Sequence, residues 1–524
     1  MPFSTAFFSS HGGAAKPWLA LTAALLVLTG CSTNPVTGAQ ELALVSKSQE
    51  LDIGAQQYSP SRQAQGGDYQ ADPGVEAYVQ AVGQRLAAVS DRDLPYEFRV
   101  INNSVPNAWA LPGGKIAVNR GLLTELNSEA ELAAVLGHEI VHAAARHGAQ
   151  SMQRGLLLQG AVMGTVLATR NSDYGQLAAL GAGIGSQLIN TRYGRDAERE
   201  SDRYGMQYMS RAGYDPQGAV ELQETFVRLA GEQRNDWLQG LFASHPPSTE
   251  RVQNNRTFAA TLPAGGEVGR ERYLEKTARL RKAKPAYQAY DEGRKALAEG
   301  NREQARRLAN KALAIEPREA QFHALLGDIA LAEDDFSTAL GQYDKAISLN
   351  GNYFYYPLQR GRAHARLDHP DAARRDLELS LKLLPSAAAL NILGDLARGS
   401  GDLERAKAYY TKAAGSDSPD GKAALNALLE TDLPENPQNY LKLSGVQGRD
   451  GQWLLRLSNP TPRDVSLVVL ELAYPDGRGG FNRREVRYEQ PLPAGESRVL
   501  ATGVNVAGAA RDYRSRLLKA QLSR

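Results

Sequence analysis

Cysteine occurs once in 524 residues, at position 31. An intramolecular disulfide is therefore impossible. Charge of one sign is also missing. The 60 Lys and Arg residues face 58 Asp and Glu, the formal net charge is +2, and no polybasic run is present. That balance gives no sign of a nucleic-acid partner. Aromatic residues are only 7% of the chain, and tyrosine supplies 22 of them. Long apolar runs are absent as well. The run at residues 18–28 is about half the ~20 residues that a helix needs to cross a bilayer, which excludes a polytopic membrane protein. What remains is ordinary for a folded protein, with 42% hydrophobic and 23% charged residues. Wholesale disorder and collagen are excluded, and the length predicts about three or four domains.

Residues 1–30 read as a signal peptide, in which Lys16 precedes a short apolar core. The core ends in Leu28, Thr29, Gly30 and Cys31. This resembles a bacterial lipobox, and the sole cysteine stands where a lipobox needs it. The resemblance implies that Cys31 becomes the lipidated first residue of the mature chain. Two or three acyl chains hold firmly, at about 0.8 kcal/mol per buried CH₂. Ser32 follows, and the lipobox likeness then points to the outer membrane, facing the periplasm.

Three further domains are expected: a mainly helical one over residues 31–270, a repeat domain over 285–430 and a β-sandwich over 437–524. The repeat is read from glycines at 293, 327, 361 and 394. Ala305, Ala339, Ala373 and Ala406 follow each glycine by 12 positions, and Ala312, Ala346, Ser380 and Ala413 follow by 19. The pattern resembles the tetratricopeptide repeat, a 34-residue helix–turn–helix whose stacked units bury a shared apolar stripe and present a concave groove. The segment from Pro434 to Pro437 reads as a linker. Beyond it, residues 452–458, 465–472, 484–488 and 497–500 are apolar or β-branched runs bounded by Asn-Pro and Pro-Asp-Gly turns, which predicts a small sandwich.

The chemistry is expected at His138, Glu139, Ile140, Val141 and His142, an HExxH motif. Ser128 and Glu131 upstream form a capping-box pattern that starts a helix. On a helix, two histidines four apart share a face and can reach one Zn²⁺ per chain, with Glu139 placed to take a proton from water. A third ligand is needed. The longer motif with Gly at 145 and His at 148 is excluded, because those positions are Ala145 and Gly148. His147 is one residue out of register and reads as a solvated helix-end histidine. Glu198 and Asp202, with the spacing Glu-x-x-x-Asp, share a face of a second helix on which Gly205 permits close approach. Glu198 is the expected ligand. Asp202 is expected to accept the other ring N–H of a ligand histidine. Asp196 and Glu200 read as a charged outer face.

Two other segments matter. Pro246 holds His245 in an extended loop, and Ser248 can cap the next helix. His245 could be a fourth ligand that silences the site, a group that stabilises the transition state, or a packed side chain. Lys115, Ile116, Ala117, Val118 and Asn119 read as the second strand of a hairpin, expected at a sheet edge where an extended substrate could pair. Residues 154–190, Gly- and Ala-rich, read as two short buried or interfacial helices.

Taken together, residues 107–116, 138–142, 198–202 and 244–246 resemble the zinc metallopeptidase family that includes HtpX, the CAAX prenyl protease and the mitochondrial Oma-type proteases. The fusion to repeats makes the likeness strongest to its periplasmic members, which maintain outer-membrane β-barrel assembly. The resemblance implies a periplasmic zinc endopeptidase acting on unfolded or misassembled envelope proteins. It implies repeats that engage the barrel-assembly machinery, His245 as an autoinhibitory zinc ligand, and residues 154–190 as a plug over the site. The competing expectation is a scaffold or chaperone-like adaptor with a structural zinc. The lipobox and the C-terminal β-domain are additions to the family pattern.

Overall fold

Ser46, Asp72, Ser128 and Ser248 each cap a helix through the side-chain oxygen, which accepts a backbone N–H that the first turn leaves unpaired. The computed structural model describes residues 31–154, 193–232, 245–448, 451–506 and 512–523. The expected signal peptide and most of the 154–190 segment lie outside the described residues. The chain divides into two compact units: residues 1–333 with 344–353, and residues 334–343 with 354–524.

The first unit opens with a short antiparallel pair, β1 (Cys31–Thr33) and β2 (Gln40–Leu42). Helices α1 (Lys47–Ala64) and α2 (Pro73–Ala87) follow. A three-stranded sheet comes next, built from β3 (Glu97–Ile101), β4 (Ala108–Leu111) and β5 (Lys115–Asn119). Strands β4 and β5 form the expected hairpin. Its turn uses Gly113 and Gly114 at φ 78° and 80°, backbone that favours glycine.

The expected edge position of β5 is wrong. The sheet order is β3–β5–β4, so Lys115 to Asn119 form the central strand. Glu97–Ile101 pairs parallel on one side and Ala108–Leu111 antiparallel on the other. All five β5 residues are buried, and Lys115 is satisfied by an ion pair with Glu97. With both flanks occupied, β5 has no free backbone to offer a substrate.

Helix α3 (Arg120–Leu123) leads to α4 (Glu129–Ala144), every residue of which is buried. Only half of the expected capping box forms. Ser128 Oγ accepts from Glu131 N at 3.1 Å, while the Glu131 carboxylate instead accepts from Asn127 N at 3.0 Å. Helices α5 (Arg195–Arg211), α6 (Gln217–Glu232) and α7 (Thr249–Ala259) come next. After them run α8 (Arg270–Lys276), α9 (Ala278–Ala298), α10 (Arg302–Ile315) and α11 (Ala320–Ala332). One apolar core runs from Val79, Phe98, Ile116 and Leu136 through to Tyr287, Ala305 and Phe322. Polar contacts follow the same path. Glu319 accepts from Asn102 Nδ2 at 3.0 Å and from Tyr287 Oη at 2.7 Å. The first repeat helices are thus packed into the same core as the HExxH helix.

Helix α12 (Phe336–Leu349) carries residues of both units. The second unit continues with α13 (Tyr355–Arg366), α14 (Pro370–Leu383), α15 (Ala387–Gly399), α16 (Leu403–Ala413) and α17 (Pro419–Asp432). The small-residue columns are where the repeat requires them. Ala305, Ala339, Ala373 and Ala406 are fully buried, as are Ala312, Ala346, Ser380 and Ala413. A Cβ on Gly361 would lie 2.9 Å from Leu377 Cγ, so only glycine allows that helix pair to close.

The segment from Pro434 to Pro437 is packed rather than loose. Leu433 lies in the core of the β-domain, and Ala520 N donates to Pro434 O. The β-domain is two antiparallel sheets. One holds β6 (Lys442–Gln447), β7 (Gln452–Ser458) and β10 (Ser497–Asn505). The other holds β8 (Val465–Pro475), β9 (Phe481–Tyr488) and β11 (Arg514–Leu522). Trp453, Leu455 and Leu457 of one sheet share a core with Val468, Leu470 and Leu472 of the other. Strands β6 and β11, not expected from the sequence, are both at edges, where polar alternation blurs the apolar signal. Among the described residues, no helix is long and apolar enough to cross a membrane.

Candidate metal centre

Helix α4 presents His138 and His142 one turn apart, and α5 presents Glu198 and Asp202 one turn apart. His245 sits three residues before the Ser248 cap of α7. All five side chains are buried, none more than 9% exposed. His138 Nε2 and His142 Nε2 are 3.0 Å apart. Glu198 reaches both, at 3.6 Å from His138 Nε2 and 3.5 Å from His142 Nε2. His245 Nδ1 lies 3.3 Å from His138 Nε2 and 3.0 Å from Glu198 Oε1. One donor atom from each of the four falls within 4.8 Å of the others. A tetrahedral cation with bonds of about 2.0–2.1 Å sets its donors about 3.3 Å apart. The observed spacings bracket that value, so the donor set fits one divalent cation.

The charges around the set agree with that use. Burial lowers the pKa of His142, and the neighbouring His138 and His147 lower it further, which keeps an imidazole lone pair free. Burial raises the Glu198 carboxyl, but His245 and His142 outweigh it and hold the group well below 4.5. Asp202 accepts from the His138 ring at Nδ1, 3.0 Å away. Burial raises its carboxyl too, and Arg251 and His138 bring it below its ordinary value.

Sequence reasoning gave Arg251 no role. Its Nε and Nη2 donate to the two Asp202 oxygens at 2.8 and 2.7 Å, and its Nη1 lies 3.1 Å from Glu198 Oε2. A planar fork of this kind orients a carboxylate in a way a lysine cannot. The available signal was its place three residues after the Ser248 cap. Tyr193 was also missed. It stacks on His142 with ring centroids 4.2 Å apart, and burial pushes its phenol up. No motif marked it.

His147 is not solvated. It is 4% exposed, and its Nδ1 lies 2.9 Å from Nδ1 of His142. Helix α4 ends at Ala144, and Arg146 takes φ 65°, which turns the chain back toward the site. Glu200 is also not part of an outer face, because its Oε1 lies 3.5 Å from His147 Nε2. Asp196 is exposed as expected.

Glu139 is 3% exposed, and burial pushes its carboxyl up although His245 and His138 draw it down. Its Oε2 is buried with no hydrogen-bond partner among the described residues. His245 Nε2 is 3.6 Å from its Oε1. Such a carboxyl can accept a proton and release it again. Lys115 to Asn119 do not join this cluster as an edge, and nothing is described of the Cys31 side chain.

Residues 73–258, which hold every residue named in this site, match peptidase family M48. Residues 290–353 and 358–421 match the tetratricopeptide repeat. A putative beta-barrel assembly-enhancing protease of Vibrio cholerae is 33% identical over 199 residues, covering 37% of this chain and 40% of that protein. The beta-barrel assembly-enhancing protease of Escherichia coli is 26% identical over 311 residues, covering 54% and 63%. Metalloprotease YcaL of Escherichia coli is 32% identical over 188 residues, covering 34% of this chain and 70% of YcaL. The chain thus spans less than two thirds of the first and second of these relatives. YcaL is more than 30% identical and is matched over more than two thirds of its length, and on that footing, with residues 73–258 matching the family, the chain belongs to peptidase family M48.

Proposed function

We propose that the protein is a zinc-dependent endopeptidase of the bacterial periplasm that cleaves misfolded or stalled outer-membrane proteins. The observation that carries this reading is the convergence of His138, His142 and Glu198 beside Glu139, whose Oε2 has no hydrogen-bond partner among the described residues. Zinc, held by those three residues, would supply a Lewis acid that lowers the pKa of water and polarises a scissile carbonyl. Glu139 takes the proton of the attacking water and returns it to the leaving amine. Its burial-raised pKa suits both halves of that task. Asp202 and His147 fix the tautomers of His138 and His142 through the ring nitrogens turned away from the centre.

His245 acts as a latch. Its Nδ1 lies among the ligand atoms and its Nε2 faces Glu139, so it occupies the space a substrate carbonyl needs. Withdrawal of the His245 loop opens the site. The tetratricopeptide repeats, a fold that holds peptide segments, would present clients or barrel-assembly components. The likeness to a beta-barrel assembly-enhancing protease supports that partner class. A lipid on Cys31 would tether the chain to the inner face of the outer membrane.

One observation favours a second reading. Four protein donors make a closed set, as in structural zinc sites, and a scaffold for outer-membrane assembly would need no more. Zinc content and casein cleavage of the His245→Ala protein separate the two. A latch predicts retained zinc and faster cleavage than wild type. A structural site predicts weakened zinc and no cleavage.

A further inference from the structure

The β-domain lies beyond the stretches that match the peptidase family and the repeat. Residues 437–524 hold 14 Lys and Arg against 8 Asp and Glu, which leaves 46 against 50 in the rest of the chain. No basic run announces this excess, because strand pairing assembles it. In the sheet of β9, β8 and β11, alternate residues point to one face. The register sets Arg483 and Arg514 on either side of Ala473, and Arg487 and Lys519 on either side of Val469. Between these rows, Glu485 and Arg516 flank Glu471. The opposite face carries Val468, Leu470 and Leu472 into the shared core. All five cations are exposed, and the side chains of Arg487, Arg516 and Lys519 are 63–66% exposed. Phe481 belongs to the same face by alternation. It is 50% exposed, and Arg514 Cζ lies 5.7 Å from its ring centroid.

We propose that this sheet face rests on a membrane surface that carries anionic phospholipid. The proposal is independent of the peptidase reading. Five cations stand against two carboxylates, in a flat array about 10 Å across the strands and about 14 Å along them. Three of the cations have carboxylate partners: Arg487 with Glu485 at 3.3 Å, Arg516 with Glu471 at 2.9 Å and Lys519 with Glu435 at 3.6 Å. Exposed pairs of this kind are weak and leave guanidinium N–H groups to donate. Arg483 and Arg514 form no ion pair among the described residues. Guanidinium groups grip phosphate oxygens in pairs, and a bilayer surface presents phosphates in a plane that a flat sheet can meet. Phe481 can enter the headgroup layer beside Arg514, the mixture of aromatic and basic side chains that suits a membrane interface. A protein partner would need a dry apolar centre, whereas the centre here is the Glu471 carboxylate.

The test uses the chain from residue 31 onward with Cys31→Ser, so that no acyl chain contributes. Its partition is measured by co-sedimentation with phosphatidylcholine vesicles, with and without one third phosphatidylglycerol. Binding is expected only where phosphatidylglycerol is present, and it should fall as salt is raised. Replacing Arg483, Arg487 and Arg514 together by glutamine should lower the partition roughly a hundredfold. Lysine at the same three positions should restore most of it at the same melting temperature, which separates lost charge from lost folding. Arg498→Gln, an exposed position on β10 of the other sheet, should leave it unchanged. Equal binding to the neutral vesicles overturns the proposal. So does a partition that the three glutamines leave untouched, or that the three lysines fail to restore. Binding to soluble polyglutamate with the phosphatidylglycerol vesicles left free overturns it too, in favour of an acidic protein partner.

Discussion

Gly205 of α5 faces the backbone of His138 on α4, where a Cβ would lie 3.1 Å from His138 N and 3.2 Å from Gly137 C. Gly137 meets Gly205 in return, with its own Cβ position 3.1 Å from Gly205 O. The two helices touch backbone to backbone, and that contact sets the reach of Glu198 toward the histidines. Neither glycine has a positive φ, so space rather than backbone conformation is the constraint.

Gly205→Val therefore pushes α5 outward. Overpacking of this kind costs about 1–3 kcal/mol, and Glu198 leaves the histidines. The expected outcome is a lower melting temperature together with weaker zinc binding in a competition titration. A variant with full zinc affinity would mean that Glu198 is not held by this contact.

His147→Leu removes the group that faces His142 Nδ1. Loss of such an outer partner weakens metal binding about 10–100-fold. Titration against a chromogenic chelator reads this directly. The metal-free melting temperature, measured alongside, separates weaker binding from poorer folding. Unchanged affinity would reduce the 2.9 Å contact to packing.

Acid stability is expected to turn on Glu129, the first residue of α4. Burial raises its carboxyl, but hydrogen bonds from Arg272, Tyr78 and Tyr214 outweigh this and hold it below 4.5. A depressed carboxylate contributes its stability in full above its unfolded pKa and loses it as pH falls through its folded value. Metal-stripped wild type should thus melt above Glu129→Gln at pH 7, and the gap should close below about pH 4.5. A gap that widens in acid would contradict this.

The parts of the fold that were legible in the sequence depend on local spacing. His138 and His142, Glu198 and Asp202, the Ser248 cap and the small-residue columns are each set by helical periodicity within a few turns. The parts that were not legible depend on distant pairing. β5 is central because Glu97–Ile101, an unremarked stretch, pairs parallel with it. His147 reaches the site because one residue, Arg146, leaves helical geometry. Arg146 is tied by ion pairing to Glu50 and by a hydrogen bond to Val45 O, far upstream in the chain. No spacing rule within α4 could foretell that reversal. Glu200 follows His147, since its partner became visible only once the chain had turned.

The most direct test is cleavage of a denatured protein by Glu139→Gln at full zinc loading. The proposed chemistry predicts one zinc per chain, an unchanged melting temperature and cleavage reduced by about 10²–10⁴-fold, the share a positioned general base supplies. Cleavage at the wild-type rate with zinc in place would contradict it.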